Sequence, residues 1–282
     1  MKKIRTVAEL ILPTEVMEGA GVRLKRCFAN NEIPRFDPFL LLDNFHSDNP
    51  DDYRAGFPWH PHRGIETVTY MLQGSVEHGD SLGNRGIING GDLQWMTAGE
   101  GILHQEMPMA PPGNDLWGLQ LWVNLPRSHK MTTPRYRDIS GAEIPLLSYS
   151  EGVEIRLISG TIDTAAGPAS DLFVDVFYYD ITIKKGRSLE IPVDERYNAF
   201  TFILEGSITI GSEKCRGETG AHLSGGSHFS AAADHDSRFL LIGGVPLHEP
   251  IAWGGPIVMN SDEELLHAFE ELKNNKFIKD KK

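Results

Sequence analysis

The stretch YMLQGSV, Tyr70–Val76, returns in chemical type 132 residues later as FILEGSI, Phe202–Ile208, with leucine, glycine and serine unchanged. Each copy is a run of strand-forming residues that leaves through Gly-Ser, as a strand leaves into a turn. Each is followed by another glycine-rich segment, INGGDLQW (Ile88–Trp95) in the first and ETGAHLSGG (Glu218–Gly226) in the second. Such a repeat, near the middle of each half of a 282-residue chain, implies two similar β domains in tandem, each about 130 residues, a usual domain size. We place the first over residues 1–135 and the second over 136–282.

Outside the repeat, glycines and prolines separate short runs rich in Val, Ile, Thr, Tyr and Phe. That is the pattern of many short antiparallel strands, a sandwich or barrel. Helical periodicity shows clearly only near the end. There Ser261 precedes Asp262-Glu263-Glu264, a capping box with Glu264 three residues after the cap, and Leu265, Leu266, Phe269 and Leu272 form one apolar stripe. The expected fold is therefore all-β, two tandem antiparallel β-barrels with a short C-terminal helix packed on a barrel.

Composition narrows the function classes. An apolar fraction of 40% with 23% charged residues suits a globular protein. No run approaches the roughly 18 apolar residues of a membrane span, so no membrane partner is expected. Glu9 interrupts the apolar run of the N-terminus and no small-residue cleavage site follows, which argues against a signal peptide. Two distant cysteines, Cys27 and Cys215, suit a reducing, cytoplasmic compartment. A net charge of −12, with only the short basic runs Arg23–Arg26 and Lys279–Lys282, argues against direct nucleic-acid binding.

Just before the first repeat lies FPWHPHRGIETV, Phe57–Val68. On a strand His60 and His62 project to the same side. They are either exposed polar decoration or two jaws of a metal site. Some 40 residues on, AGEGILHQEMP (Ala98–Pro108) supplies His104 and Glu106 at the same spacing. If both strands turn these residues into one barrel, three imidazoles and a carboxylate converge. That donor set suits iron, manganese, nickel, copper or zinc rather than calcium or magnesium. Counted from His62, Glu66 keeps the inward parity, as a hydrogen-bond partner behind the ligands or a substitute ligand, unless Gly64 resets it. The 132-residue offset carries His60 onto Pro192, His62 onto Asp194 and Glu66 onto Asn198, so the second domain lacks both imidazoles. The remaining histidines, His78 among them, show no comparable pairing.

HPHRGIETVTYMLQG followed by GEGILHQE resembles the two metal motifs of the pirin family, within the cupin superfamily of small β-barrels. FDPFLLLDNF (Phe36–Phe45), GLQLWVNLP (Gly118–Pro126) and EPIAWGGPIVMN (Glu249–Asn260) resemble pirins as well. The resemblance implies a bicupin, with one divalent transition metal in the N-terminal barrel and none in the C-terminal one. Iron(II) is the first expectation, with Mn, Ni, Cu, Co or Zn as alternatives. By motif the ligands would be His60, His62, His104 and Glu106, the carboxylate coming from the second motif rather than from Glu66 as in cupins generally. It further implies quercetinase-like chemistry, opening of a flavonol ring by dioxygen with loss of carbon monoxide. Glu106 would then be both ligand and base, and Phe57, Trp59 and Met107 would be candidates to grip the flat rings. The rival reading is regulatory, because pirins are also iron-dependent transcription coregulators or modulators of metabolic enzymes that act through a protein partner.

Overall fold

In the computed structural model, which describes residues 2–32, 34–109 and 115–279, the two Gly-Ser turns stand at equivalent corners of two similar sheet pairs. Gly74 and Gly206 have φ of 76° and 73°, the left-handed region where a side chain is strained. In each copy the strand before the turn lies third in a seven-stranded sheet, and the strand after it lies third in a four-stranded sheet.

The histidine-bearing unit comprises Thr14–Ile33, Phe39–Gly141 and Leu247–Lys282. Its seven-stranded sheet runs in the order Arg135–Ile139, Leu93–Thr97, Ile65–Gln73, Leu116–Asn124, Phe39–Ser47, Val22–Phe28, Thr14–Glu18. Its four-stranded sheet has the order Phe57–His62, Ile102–Pro108, Ser75–Asp80, Arg85–Asn89. The strand Phe39–Ser47, fifth in the seven-stranded sheet, is buried from Phe39 to Phe45, its apolar start Phe39–Leu42 giving way to the buried polar pair Asp43 and Asn44.

The other unit comprises Met1–Pro13, Pro34–Pro38 and Ala142–Pro246. Its seven strands are Val7–Ile11, Gly220–Leu223, Asn198–Glu205, Ser237–Gly244, Val176–Ile183, Val153–Ser159 and Leu146–Ser150, and its four are Ser188–Pro192, His228–Ala233, Ser207–Ile210 and Glu213–Arg216. The two units thus have the same number of strands in each sheet, arranged on the same plan.

The units do not follow a single cut near residue 135. Val7–Ile11 pairs with Gly220–Leu223 and edges the second unit, as Arg135–Ile139 edges the first. The helix expected near the end is Asp262–Lys273, capped by Ser261, whose hydroxyl accepts from the Glu264 amide at 3.3 Å. It belongs to the histidine-bearing unit, where it packs on the hairpin Ala252–Gly254/Ile257–Met259. Its seat differs from the expected stripe. Leu265, Ala268 and Leu272 meet Ile257, Met259 and Phe277, while Leu266 stands 64% exposed. No described helix is long and apolar enough to cross a membrane.

Candidate metal centre

Phe57–His62 pairs antiparallel with Ile102–Pro108, setting His60 opposite His104 and His62 opposite Ile102. Same-face geometry then gathers three rings. The centroids lie 4.3 Å apart for His60 and His104, 4.8 Å for His60 and His62, and 5.0 Å for His62 and His104. One ring nitrogen from each can be chosen so that all three lie within 4.8 Å of one another.

The hydrogen bonds decide which nitrogens those are. His60 Nδ1 lies 2.8 Å from the Pro58 carbonyl and His62 Nδ1 lies 3.1 Å from that of Pro256. A carbonyl only accepts, so each Nδ1 carries a hydrogen and each Nε2 is the nitrogen left for a metal. His104 is buried, and neither of its ring nitrogens has a hydrogen-bond partner. An orphaned buried donor or acceptor costs about 1–3 kcal/mol, a cost that coordination would remove. Burial, reinforced by His60, lowers His62 to a pKa of about 3, and burial beside His62 and His60 holds His104 well below its ordinary value. Both rings are therefore neutral near pH 7, the form that binds metal. The three imidazoles fit a divalent transition metal.

Glu106 is not part of that three-ring group. It is buried on the same strand as His104, beyond a register shift that sets it opposite Phe57. Its Oε1 accepts from Thr69 Oγ1 at 2.9 Å and its Oε2 from Gln120 Nε2 at 3.0 Å. It lines a narrow chamber with Val22, Leu24, Phe45 and Leu116. His60 and His62 open instead onto a cleft of about 620 Å³. Asp43, Phe57 and Gln120 line both spaces.

Glu66 turns the other way. Thr69 faces Glu106, and three residues along a strand is an odd step, so Glu66 lies on the opposite face. There it accepts from Trp95 Nε1 at 3.0 Å and Thr97 Oγ1 at 2.6 Å, and burial raises its pKa. Gly64, with φ of 78°, separates the two strands and resets the inward parity counted from His62.

The cleft walls are aromatic. Trp122 and Trp253 stack at 5.7 Å, Trp122 meets the His62 ring edge-on at 5.1 Å, and Trp59 stands half-exposed at the rim. Of the three residues expected to grip flat rings, Phe57 and Trp59 line the cleft and Met107 does not. Arg26 forks onto Asp43 through two 2.8 Å hydrogen bonds on the same wall. The polar stretch Ser47–Gly56 is an ordered loop, with Tyr53 buried beneath it against Val22 and Leu24.

Sequence reasoning passed over His78. It is buried, its ring stacks on Tyr136 at 5.1 Å, and its Nε2 lies 3.6 Å from the Asp138 carboxylate, which it holds below the usual range. The signal was its parity with Val76, two residues earlier, which lines the Glu106 chamber.

The family model described as Pirin matches residues 21–123, and that of the Pirin C-terminal cupin domain matches residues 178–278. A pirin-like protein from Caulobacter vibrioides is 41% identical over 275 residues, covering 97% of this chain and 99% of that one. The pirin of Homo sapiens is 38% identical over 285 residues, covering 98% and 95%. The solved structure of a quercetin 2,3-dioxygenase from Acinetobacter baumannii superposes with a TM-score of 0.90 at 35% identity, covering 98% of this chain and 99% of that one.

Proposed function

This chain belongs to the pirin family, and from that premise we propose that it is a metal-dependent dioxygenase that opens the central ring of a flavonol. One observation carries the reading, namely that three imidazoles gather, His62 and His104 buried and neutral, with His60 and His62 on the wall of a tryptophan-lined cleft of about 620 Å³. The likeness to a quercetin 2,3-dioxygenase over nearly the whole chain supports the substrate class. His60, His62 and His104 would be the metal ligands, with Glu106 as the fourth. When bound, a divalent transition metal, iron(II) in this reading, would supply Lewis acidity toward the substrate oxygens and a redox partner for dioxygen.

The chain's own residues would do the rest. Trp122, Trp253 and Trp59 offer flat apolar walls to a planar polyphenol. Glu106 Oε2 would take the proton of the flavonol hydroxyl, while Thr69 and Gln120 hold the carboxyl in place. Val22, Leu24 and Phe45 keep water from its chamber. Both atoms of dioxygen would enter the opened product and one ring carbon would leave as carbon monoxide, so no further reductant is required.

The test is oxygen uptake and carbon monoxide release with a panel of flavonols, comparing iron-loaded and metal-stripped protein. The parent should turn over only when loaded. Glu106→Gln keeps the size and one coordinating oxygen but removes the basicity, and should retain metal while losing about 10²-fold or more in rate. An iron-loaded parent that consumes no oxygen with any flavonol would overturn the enzyme reading in favour of a metal-dependent regulator.

A further inference from the structure

We propose that the segment Ile251–Ile278 is a clasp that positions His62 for the metal, with Arg63 as its latch; this rests on the metal reading above. His62 and Arg63 are held by that segment directly, and Gly64 through Lys130. His62 Nδ1 donates to the Pro256 carbonyl at 3.1 Å, and the Val258 amide donates to the Arg63 carbonyl at 3.1 Å. Lys130 Nζ, itself buried, donates to the carbonyls of both Gly64 and Val258, at 2.8 and 2.9 Å.

Arg63 is only 1% exposed. Its guanidinium donates to Glu271 Oε2 at 2.7 Å and to the Phe277 carbonyl at 3.0 Å, and lies 4.2 Å from the centre of the Phe277 ring. A buried guanidinium is costly unless its partners are well placed. Covering Ile257 and Met259 would need only apolar contact, so the ion pair fixes a position rather than merely hiding a surface.

The docking face is cut to fit. A Cβ at Gly64 would collide with the Val258 carbonyl. At Gly101, immediately before the strand of His104, it would come within 2.8 Å of the Phe277 carbonyl. Bare backbone at Gly64 and Gly101 lets the segment lie directly against the loops beside two of the imidazoles.

The function of this arrangement follows from how a histidine ligand is held. An acceptor on Nδ1 fixes the tautomer and the ring plane, and leaves Nε2 aimed at the ion. Pro256 is that acceptor for His62, and Val258, Arg63 and Lys130 set where Pro256 stands. Arg63 is therefore a positioning residue.

The test uses full-length protein with cobalt(II) as probe, read by chelator competition and by its ligand-field absorption. Glu271→Gln and Phe277→Ala should weaken cobalt binding by about 10- to 100-fold, the usual cost of disturbing the partners of a ligand. They should also shift the absorption bands at saturating cobalt. Ile88→Ala, a core truncation on the strand Arg85–Asn89, is the control. It should lower the unfolding temperature yet leave affinity within about twofold, since transfer and cavity terms act on folding. If Glu271→Gln fails to fold, Phe277→Ala decides, because it keeps the ion pair. The clasp is overturned if both variants bind as the parent does with unchanged bands, or if Ile88→Ala weakens binding as much as they do. A parent that binds no cobalt overturns the metal reading, and the clasp with it.

Discussion

The two barrels share a strand plan and differ in what fills them. In the second, Leu189, Ile191, Phe229, Ala231, Phe239 and Leu241 belong to one continuous buried cluster. In the first, Val22, Phe45 and Met71 belong to one buried group and Leu40, Ile65 and Trp122 to another. Polar residues, Thr69, Glu106 and Gln120 among them, line the chamber beside the first group. The same sheets can therefore be closed by packing or held open around chemistry. Buried polar side chains take the place of apolar packing at that chamber, the kind of local exchange of stability that a functional site asks for.

The largest expected effect falls on that polar layer. His62→Ala should leave the chain folded, because two barrels supply the core, and should bring metal content from about one ion per chain nearly to zero. Metal analysis of protein purified without a chelating column checks this, and unchanged content would place the ion elsewhere. If the variant's metal reappeared near Pro192 and Asp194, the contrast between the barrels would be broken.

Next in size is a truncation in the second barrel. Phe229 is fully buried, and Phe229→Ala should cost about 3–5 kcal/mol in denaturant unfolding, with the metal affinity of the first barrel unmoved. A loss below about 1 kcal/mol would mean that the second core is looser than its continuity implies.

The smallest effect is acid sensitivity of the metal-free protein. Folded His62 sits at a pKa of about 3, against about 6.5 in an unfolded chain. Between those values the unfolded state binds a proton that the folded state refuses. Stability is therefore complete above about pH 6.5 and falls as pH drops toward 3, by about 1.4 kcal/mol per unit for each such imidazole. His104 adds to the slope, since it is depressed in the same direction. Urea midpoints at pH 7 and pH 5 measure it, and His62→Leu should flatten it. A flat parent profile would show that the rings are more hydrated than their burial implies.

Much of this was legible in the residues. The 132-residue offset located both Gly-Ser corners, because a left-handed turn demands glycine in each copy. The spacing of His60, His62 and His104 located the imidazoles, because a strand's period of two admits no other face. The side of Glu66 was not legible, since it depends on whether Gly64 continues a strand or breaks it, a choice of one dihedral angle. Nor were the partners of Glu106, because Thr69 and Gln120 reach it from separate strands. The ownership of the helix was hidden for a similar reason. Its capping box was plain in sequence, but Arg63, which ties it to the histidine-bearing unit through Glu271, lies 208 residues away along the chain.

The hydrogen bond from His62 to Pro256 spans 194 residues, and this has a consequence for biosynthesis. At a ribosomal pace of about 5–20 residues per second, the strand bearing His60 and His62 exists for about 10–40 s before its proline acceptor is even made. During that interval the first barrel can form its sheets, but the His62 ring has no partner to select its tautomer. On the clasp proposal, metal capture would wait for nearly finished chains, and a chain cut short in the second barrel would carry His60, His62 and His104 without the acceptor that holds His62.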